Sequence, residues 1–255
     1  SYGSDDPSWR QNCRTDGCME FDGSNDYISA DPVRLNDEAA IHAWFTVDEY
    51  HSGWKAMIAS GHTDNDGMSI RITDRDGGFN DYLRLQVLEE DGDLAEAFSE
   101  SQPVPTDTWH STTGVANGTH INLYIDGELI DSGTYDGTIR APTTTEIGRK
   151  GTVDAEYWDG RIDDVRIYNT SLTTSEVRSA MTSPKQPFAS WQSRGGQDLK
   201  PLAHWAFDAG TGQKAYDSVG SNDGVLGGST SSESSDPTWV DDCRYRGCLS
   251  FDGSD

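Results

Sequence analysis

The chain has 255 residues and a formal charge of −25, from 44 acidic and 19 basic residues, with eight Trp, ten Tyr and seven Phe. This charge repels polyanions, which excludes nucleic acid as a partner. No run of 18 apolar residues is present, so no direct membrane insertion by a helix is expected, and the aromatic content supplies a core that a disordered chain lacks. The acid is mostly Asp, and Lys occurs only at 55, 150, 185, 200 and 214. Such a surface repels itself in dilute buffer, whereas at molar salt the Debye length falls to about 3 Å. The composition therefore points to a halophile. With neither an initiator Met nor a signal peptide, the chain reads as a mature fragment.

Taken in chain order, Cys13-x4-Cys18 comes first and has a twin in Cys243-x4-Cys248. No His or further Cys stands near enough to complete a zinc site. Two local disulfides are the expectation, which implies an oxidising, extracellular or cell-surface setting. Alternating apolar and polar residues between turn signals predict strands over 18–22, 26–30, 40–47, 54–60, 67–73, 82–88, 94–99, 108–116, 119–126, 128–133, 144–148, 161–168 and 202–207. Within them Asp126-Gly127 marks a two-residue hairpin turn. Asn117-Gly-Thr119 and Asn169-Thr-Ser171 are N-glycosylation sequons. Thr173-x-x-Glu176 is a capping box opening a short helix, with Val177 and Met181 on one face and Pro184 ending it.

The cysteine twins belong to a longer repeat. Residues 1–25 match residues 231–255 at a constant offset of 230, including Pro7/Pro237, Trp9/Trp239, Cys13/Cys243, Cys18/Cys248 and Phe21-Asp-Gly-Ser24/Phe251-Asp-Gly-Ser254. The chain then divides into the body of one repeat at 1–183, a Pro-, Gln- and Ser-rich linker at 184–199, and the head of the next repeat at 200–255. A head of this size is too small to fold alone. It completes a sandwich either in cis, on this body, or in trans, on a neighbour, and the whole reads as a window from a tandem array.

The ordered set Phe21-Asp-Gly-Ser-Asn-Asp-Tyr27, Ala40-Ile-His-Ala-Trp44, Thr108-Trp-His110, Leu123-Tyr-Ile-Asp-Gly127 and Gly160-Arg-Ile-Asp-Asp-Val-Arg-Ile-Tyr-Asn169, with His204-Trp-Ala-Phe-Asp208 in the head, resembles the laminin-G-like domains of the concanavalin A-like lectin/glucanase superfamily. Acidity and repetition together resemble a haloarchaeal-type surface protein. The resemblance implies an all-β, concanavalin A-like jelly-roll β-sandwich of two antiparallel sheets with one short C-terminal helix. It also places 202–207 beside 161–168.

The resemblance implies a structural Ca2+ on the rim of the sandwich. The expected oxygen donors are Asp22, Gly23 (through its carbonyl), Asp26, Asp163, Asp164 and Asp208. Trp44, Trp109 and Trp205 match core positions. Trp54, Tyr157 and Trp158 fall in or near loops and are the expected ligand-binding aromatics. A glucanase of this fold needs a Glu-x-Asp-x-x-Glu strand for its nucleophile and acid, and the chain has none. The function expected is a non-catalytic module that binds a surface glycan or protein. The alternative is a filament subunit whose partners are neighbouring repeats of the same protein.

Overall fold

The computed structural model describes residues 19–22, 26–48, 53–60, 67–74, 81–100, 102–150, 156–182, 193–194, 197–209, 211–227, 231, 238–240 and 248–250. In chain order the strands are β1 Met19–Asp22, β2 Ile28–Ala30, β3 Glu38–Phe45, β4 Trp54–Ser60, β5 Met68–Asp74, β6 Asp81–Leu88, β7 Leu94–Phe98, β8 His110–Asn117, β9 His120–Ile125, β10 Glu128–Thr134, β11 Thr145–Ile147 and β12 Asp159–Tyr168. Helix α1, Thr174–Thr182, follows, then β13 Ser193–Arg194, β14 Gln197–Asp198, β15 Ala203–Trp205, β16 Lys214–Ala215, β17 Gly224–Leu226, β18 Thr238–Val240 and β19 Cys248–Ser250.

Among the described residues these strands make two large antiparallel sheets and a two-stranded ribbon of β13 and β14. Sheet A runs β10-β9-β8-β3-β12, and β12 also pairs with β1, β15 and β19, the last carrying β18. Sheet B runs β16-β17-β2-β11-β4-β5-β6-β7. This is the jelly-roll β-sandwich that the sequence pattern implies. The alternation of each strand divides its residues between two faces. Inward-facing Ile41, Ala43 and Phe45 of β3 meet Ile70, Ile72, Leu83, Leu85 and Val87 of sheet B in one continuous core.

Residues 203–226 are part of this sandwich. β15 pairs with β12, Trp205 opposite Val165 and Ala203 opposite Ile167, so the head strand lies beside 161–168. β17 pairs with β2, Leu226 opposite Ile28. Trp205 and Leu226 are fully buried, and the Trp205 indole N–H donates to the Asn222 carbonyl at 2.9 Å.

A second, smaller core lies on the outer face of sheet A. There Ala40, Val115, Tyr124 and Tyr168 are covered by Leu172, Val177 and Leu199. The helix that covers them starts as the capping box predicts. The Thr173 N–H donates to the Glu176 carboxylate at 2.7 Å, and the Glu176 N–H donates to the Thr173 hydroxyl at 3.4 Å, which satisfies two orphan donors. The Asp126-Gly127 turn has φ of 49° and 78°, the left-handed pair that a two-residue hairpin needs. The Asp126 carboxylate braces the turn by accepting from the Ser111 N–H at 2.8 Å and meeting His110 Nδ1 at 2.8 Å.

Candidate functional site

The outer face of sheet B is polar where its inner face is apolar. Register places Trp54, Thr73 and Tyr82 in one row across β4, β5 and β6, and Ala56, Arg71, Arg84 and Phe98 in the next. A third row holds Ser29, Glu146, Ala59, Ser69, Gln86 and Glu96. Trp54 stands at one end of this face with 36% of its surface exposed. The guanidinium carbons of Arg71 and Arg84 lie 4.9 and 4.7 Å from its ring centroid, cation–π contacts that fix the ring.

Those two guanidinium groups are held in turn. Arg71 donates to both oxygens of Glu156, at 2.7 and 2.9 Å, and to Gln86. Arg84 is paired with Glu96 and reaches the Phe98 ring at 5.7 Å. Further along, Arg149 pairs with Glu146 and lies over the Tyr27 ring at 3.4 Å, and Lys150 donates to Ser69 at 3.4 Å. The Arg149 guanidinium is partly buried, which weakens its hold on the proton. Glu146, with Tyr27 and Tyr157, more than offsets that and raises its pKa. The result is a rigid bank of donors and acceptors beside an exposed indole. Polar groups fixed in this way around an aromatic platform can orient a neutral, hydroxyl-rich ligand.

Of the aromatics expected to bind ligand, Trp54 and Tyr157 stand on this face, Tyr157 as a hydrogen-bond partner of Arg149. Trp158 does not. It is 0% exposed and packs edge-on against Phe45, with ring centroids 5.8 Å apart. The Trp158 backbone N–H donates to the Gly148 carbonyl at 2.8 Å, and two residues on, the Gly160 backbone, at φ of 134°, lies against the Thr46 carbonyl where a Cβ would not fit. Arg71 and Arg84 were not singled out from the sequence. Their signal was present as Ile70-Arg71-Ile72 and Leu83-Arg84-Leu85, a charge on the outward position of an otherwise apolar strand.

Among the described residues the expected calcium donors do not gather into one set. Asp164 is fully buried and engaged by other groups. Arg166 donates to its two oxygens at 2.9 and 2.5 Å, and His204 Nε2 lies 2.7 Å from the first. Burial pushes the Asp164 carboxyl up, but the attraction of Arg166 and the hydrogen bond and charge of His204 prevail and hold it well below the ordinary range. A register shift between Asp163 and Arg166, with Asp164 at φ of 53°, aims it at this cluster. Asp164 is the anion of a buried ion pair. Asp208 is exposed, and Asp26 and Asp163 are buried. Asp22 is described through its backbone pairing with Asp159, and Gly23 lies outside the described residues. Among the described residues no group of three His, Cys, Asp or Glu is arranged to hold a metal.

The same cluster joins strand β12 to the head. His204 Nδ1 lies 3.0 Å from the Ser218 hydroxyl, and Asp217 accepts from the N–H groups of His204, Val219 and Gly220 at 2.9 to 3.0 Å. Arg166 also donates to the Ala180 carbonyl at 3.2 Å, which caps the last turn of α1. Both sequon asparagines are exposed. Asn117 Oδ1 accepts from the Thr119 and His120 N–H groups, and the Asn169 carbonyl accepts from Asn36. Cys13, Cys18 and Cys243 lie outside the described residues, and Cys248 is placed by its backbone opposite Val240.

Two antiparallel sheets, one lidded by a helix and the other carrying a buried polar layer with Trp54 exposed at its edge, make this a jelly-roll β-sandwich. The chain belongs to the concanavalin A-like lectin/glucanases superfamily, whose Laminin_G_3 model matches residues 22–178. Among solved structures it is similar to a candidate carbohydrate-binding protein from Bacteroides ovatus, with a TM-score of 0.63, 18% identity and 84% of this chain covered. The chain spans 59% of the length of that protein. It is also similar to the heptameric SAP-like pentraxin of Limulus polyphemus, with a TM-score of 0.52, 17% identity, and 66% of this chain and 82% of that one covered. A comparison with curated proteins gave no match.

Proposed function

We propose that this is a non-catalytic recognition module that binds a glycan on the outer face of sheet B. The observation that carries the reading is Trp54, exposed and held from within by Arg71 and Arg84 beside fixed hydrogen-bonding groups. A sugar presents an apolar C–H face to such an indole and its hydroxyls to the surrounding amide, carboxylate and guanidinium groups. The family, and the likeness to a candidate carbohydrate-binding protein, support the same class of ligand. The carboxylates Glu96, Glu146 and Glu156 on or over this face are each engaged by an arginine. That supports binding over hydrolysis, which needs one carboxyl free to protonate a leaving group.

The test is a glycan array probed in molar salt with the wild type and Trp54→Ala. Binding by the wild type, weakened at least about tenfold in the variant, is expected, since truncating a central aromatic contact commonly costs 1.4 kcal/mol or more. Absence of any glycan binding would remove the reading.

The extracellular, high-salt setting and the structural calcium ion are separate parts of the proposal. The first rests on the charge of −25. Melting temperature should fall steadily as salt is diluted and the Debye length grows from about 3 Å at 1 M to about 30 Å at 0.01 M; a flat response would contradict it. The calcium proposal rests on the buried carboxylates Asp26 and Asp163. Calorimetric titration should show heat and a raised melting temperature, and neither would appear if the rim holds no calcium.

A further inference from the structure

The two sequons come out at one pole of the sandwich. Asn117 is the last residue of β8, and register sets it opposite Glu38, the first residue of β3. Tyr168, the last residue of β12, stands opposite Ala40 on the other side of β3, so Asn169 leaves the sheet at the same end. The 169–171 segment is tied there. Asn36 donates to the Asn169 carbonyl at 3.2 Å, and Ser171 donates to the Glu38 carboxylate at 2.8 Å.

Trp54 stands at the opposite pole. Ala30, Thr145, Ser60 and Met68 form one row across sheet B. Val33, in the link from β2 to the start of β3, bonds to the hydroxyls of both Thr145 and Ser60, at 3.0 and 3.1 Å. That row therefore lies at the sequon end, and Trp54 is at the far end of β4, about 20 Å away at 3.3 Å per residue. Both sequon asparagines are exposed. At Asn117 the carboxamide is also oriented. Its Oδ1 accepts from the Thr119 N–H at 3.1 Å, the Thr119 hydroxyl at 3.1 Å and the His120 N–H at 2.8 Å. Backbone donors converging on one atom require that atom to be the oxygen, so the amide nitrogen is directed away from the turn. Gly118, at the tip, has φ of 86° and open space where a Cβ would stand.

We infer that Asn117 and Asn169 are both acceptor sites for N-linked oligosaccharide, and that the two sugars project from the pole opposite Trp54. The inference rests on the extracellular setting proposed above and is independent of glycan binding. The donor is a lipid-linked oligosaccharyl phosphate supplied by the cell. In each transfer a bond forms between Nδ2 and the anomeric carbon, and the bond from that carbon to the phosphate oxygen breaks. One amide proton passes to the departing lipid phosphate. The bulky, solvated sugars then cover the β8–β9 turn and the start of β3 and leave β4 to β6 uncovered.

The test is secretion of the chain from a eukaryotic host that performs N-glycosylation, followed by intact mass and peptide mapping. The wild type should carry two oligosaccharides, Asn117→Gln and Asn169→Gln one each, and the double variant none. Asn117→Gln also disturbs the turn, so Thr119→Ala and Thr119→Ser serve as a second pair. The first should lose the sugar at Asn117, and the second, which keeps the sequon, should retain it. A secreted chain with sugar at neither asparagine, or at only one, would overturn the inference. Sugar at both sites in this host, but at neither in chain isolated from its own cells, would uphold the acceptor sites and overturn the extracellular setting instead. Hydrogen–deuterium exchange of the glycosylated wild type against the double variant reads the placement. Exchange should slow beside Asn117 and Asn169 and stay unchanged in β4 to β6; slowing around Trp54 would contradict it.

Discussion

The outer faces of the two sheets are built from opposite chemistry. On sheet A the face around Ala40, Val115, Tyr124 and Tyr168 is apolar, and α1 covers it. On sheet B the corresponding face carries Arg71, Arg84, Gln86, Glu96 and Glu146, and Trp54 stays exposed at its end. An apolar outer face forces the chain to spend a helix on it. On sheet B the paired guanidinium groups of Arg71 and Arg84 are themselves buried, and Trp54 is the exposed aromatic at their edge. The contrast extends to the arginines. Arg166, beneath the lid, has both carboxylate oxygens of Asp164 and a helix carbonyl as partners and serves the fold. Arg71 and Arg84, of the same residue type on the other sheet, hold an exposed aromatic ring in place.

The comparison can be broken most severely at Asp164. Asp164→Asn leaves the Arg166 charge buried without its counter-ion and should cost about 3–5 kcal/mol in denaturant unfolding. Adding Arg166→Met should recover part of that loss; a single variant as stable as wild type would show the pair to be unimportant. The same carboxyl makes the fold acid-labile. Its folded pKa is depressed, as is that of Asp217, where bonds from the Gly220, His204 and Val219 N–H groups outweigh burial. Their stabilisation is therefore full above about pH 4, the ordinary Asp range, and is lost as pH falls through the lowered folded values.

Next in size is the lid. Val177→Ala removes two methyl groups from the second core and should cost about 2 kcal/mol, with glycan binding unchanged. A change in binding would mean that the two faces are coupled. Trp54→Ala is the reciprocal case: its effect on unfolding should stay below about 1 kcal/mol, as for an exposed side chain, while binding falls.

A further, pH-dependent effect belongs to Glu89. Burial, and then the nearby Asp136 carboxyl, push the Glu89 carboxyl up to about 7 despite the Asp136 N–H it accepts at 2.6 Å. A raised folded pKa gives stability that is full below about pH 4.5 and is lost as pH rises through 7. Glu89→Gln should flatten the stability slope between those values; an unchanged slope would place its source elsewhere.

The fold was largely legible because alternation is a local property. Strand β4 was predicted at its observed bounds, 54–60, and α1 starts directly after the predicted cap Thr173, since the reciprocal Thr173–Glu176 bonds are written in the sequence. Two-residue strands such as β16 carry too little pattern to read, and β17, with a glycine, is held by packing against Ile28. The site was legible only in part. Trp54 could be picked out as an aromatic at a strand start, but the burial of Trp158 against Phe45, over 110 residues away in sequence, is a tertiary contact. The ion pair of Asp164 was not legible, because its bulge and its partner His204 in the head are tertiary features.

The most direct test of ligand binding beside Trp54 is hydrogen–deuterium exchange of the wild-type chain with and without the tightest oligosaccharide from the array. The account predicts added protection in β4, β5 and β6, centred on Trp54, Arg71 and Arg84, and none in α1 or β9. Protection confined to α1 and β9, with β4 to β6 unchanged, would place the ligand on the lidded side and contradict it.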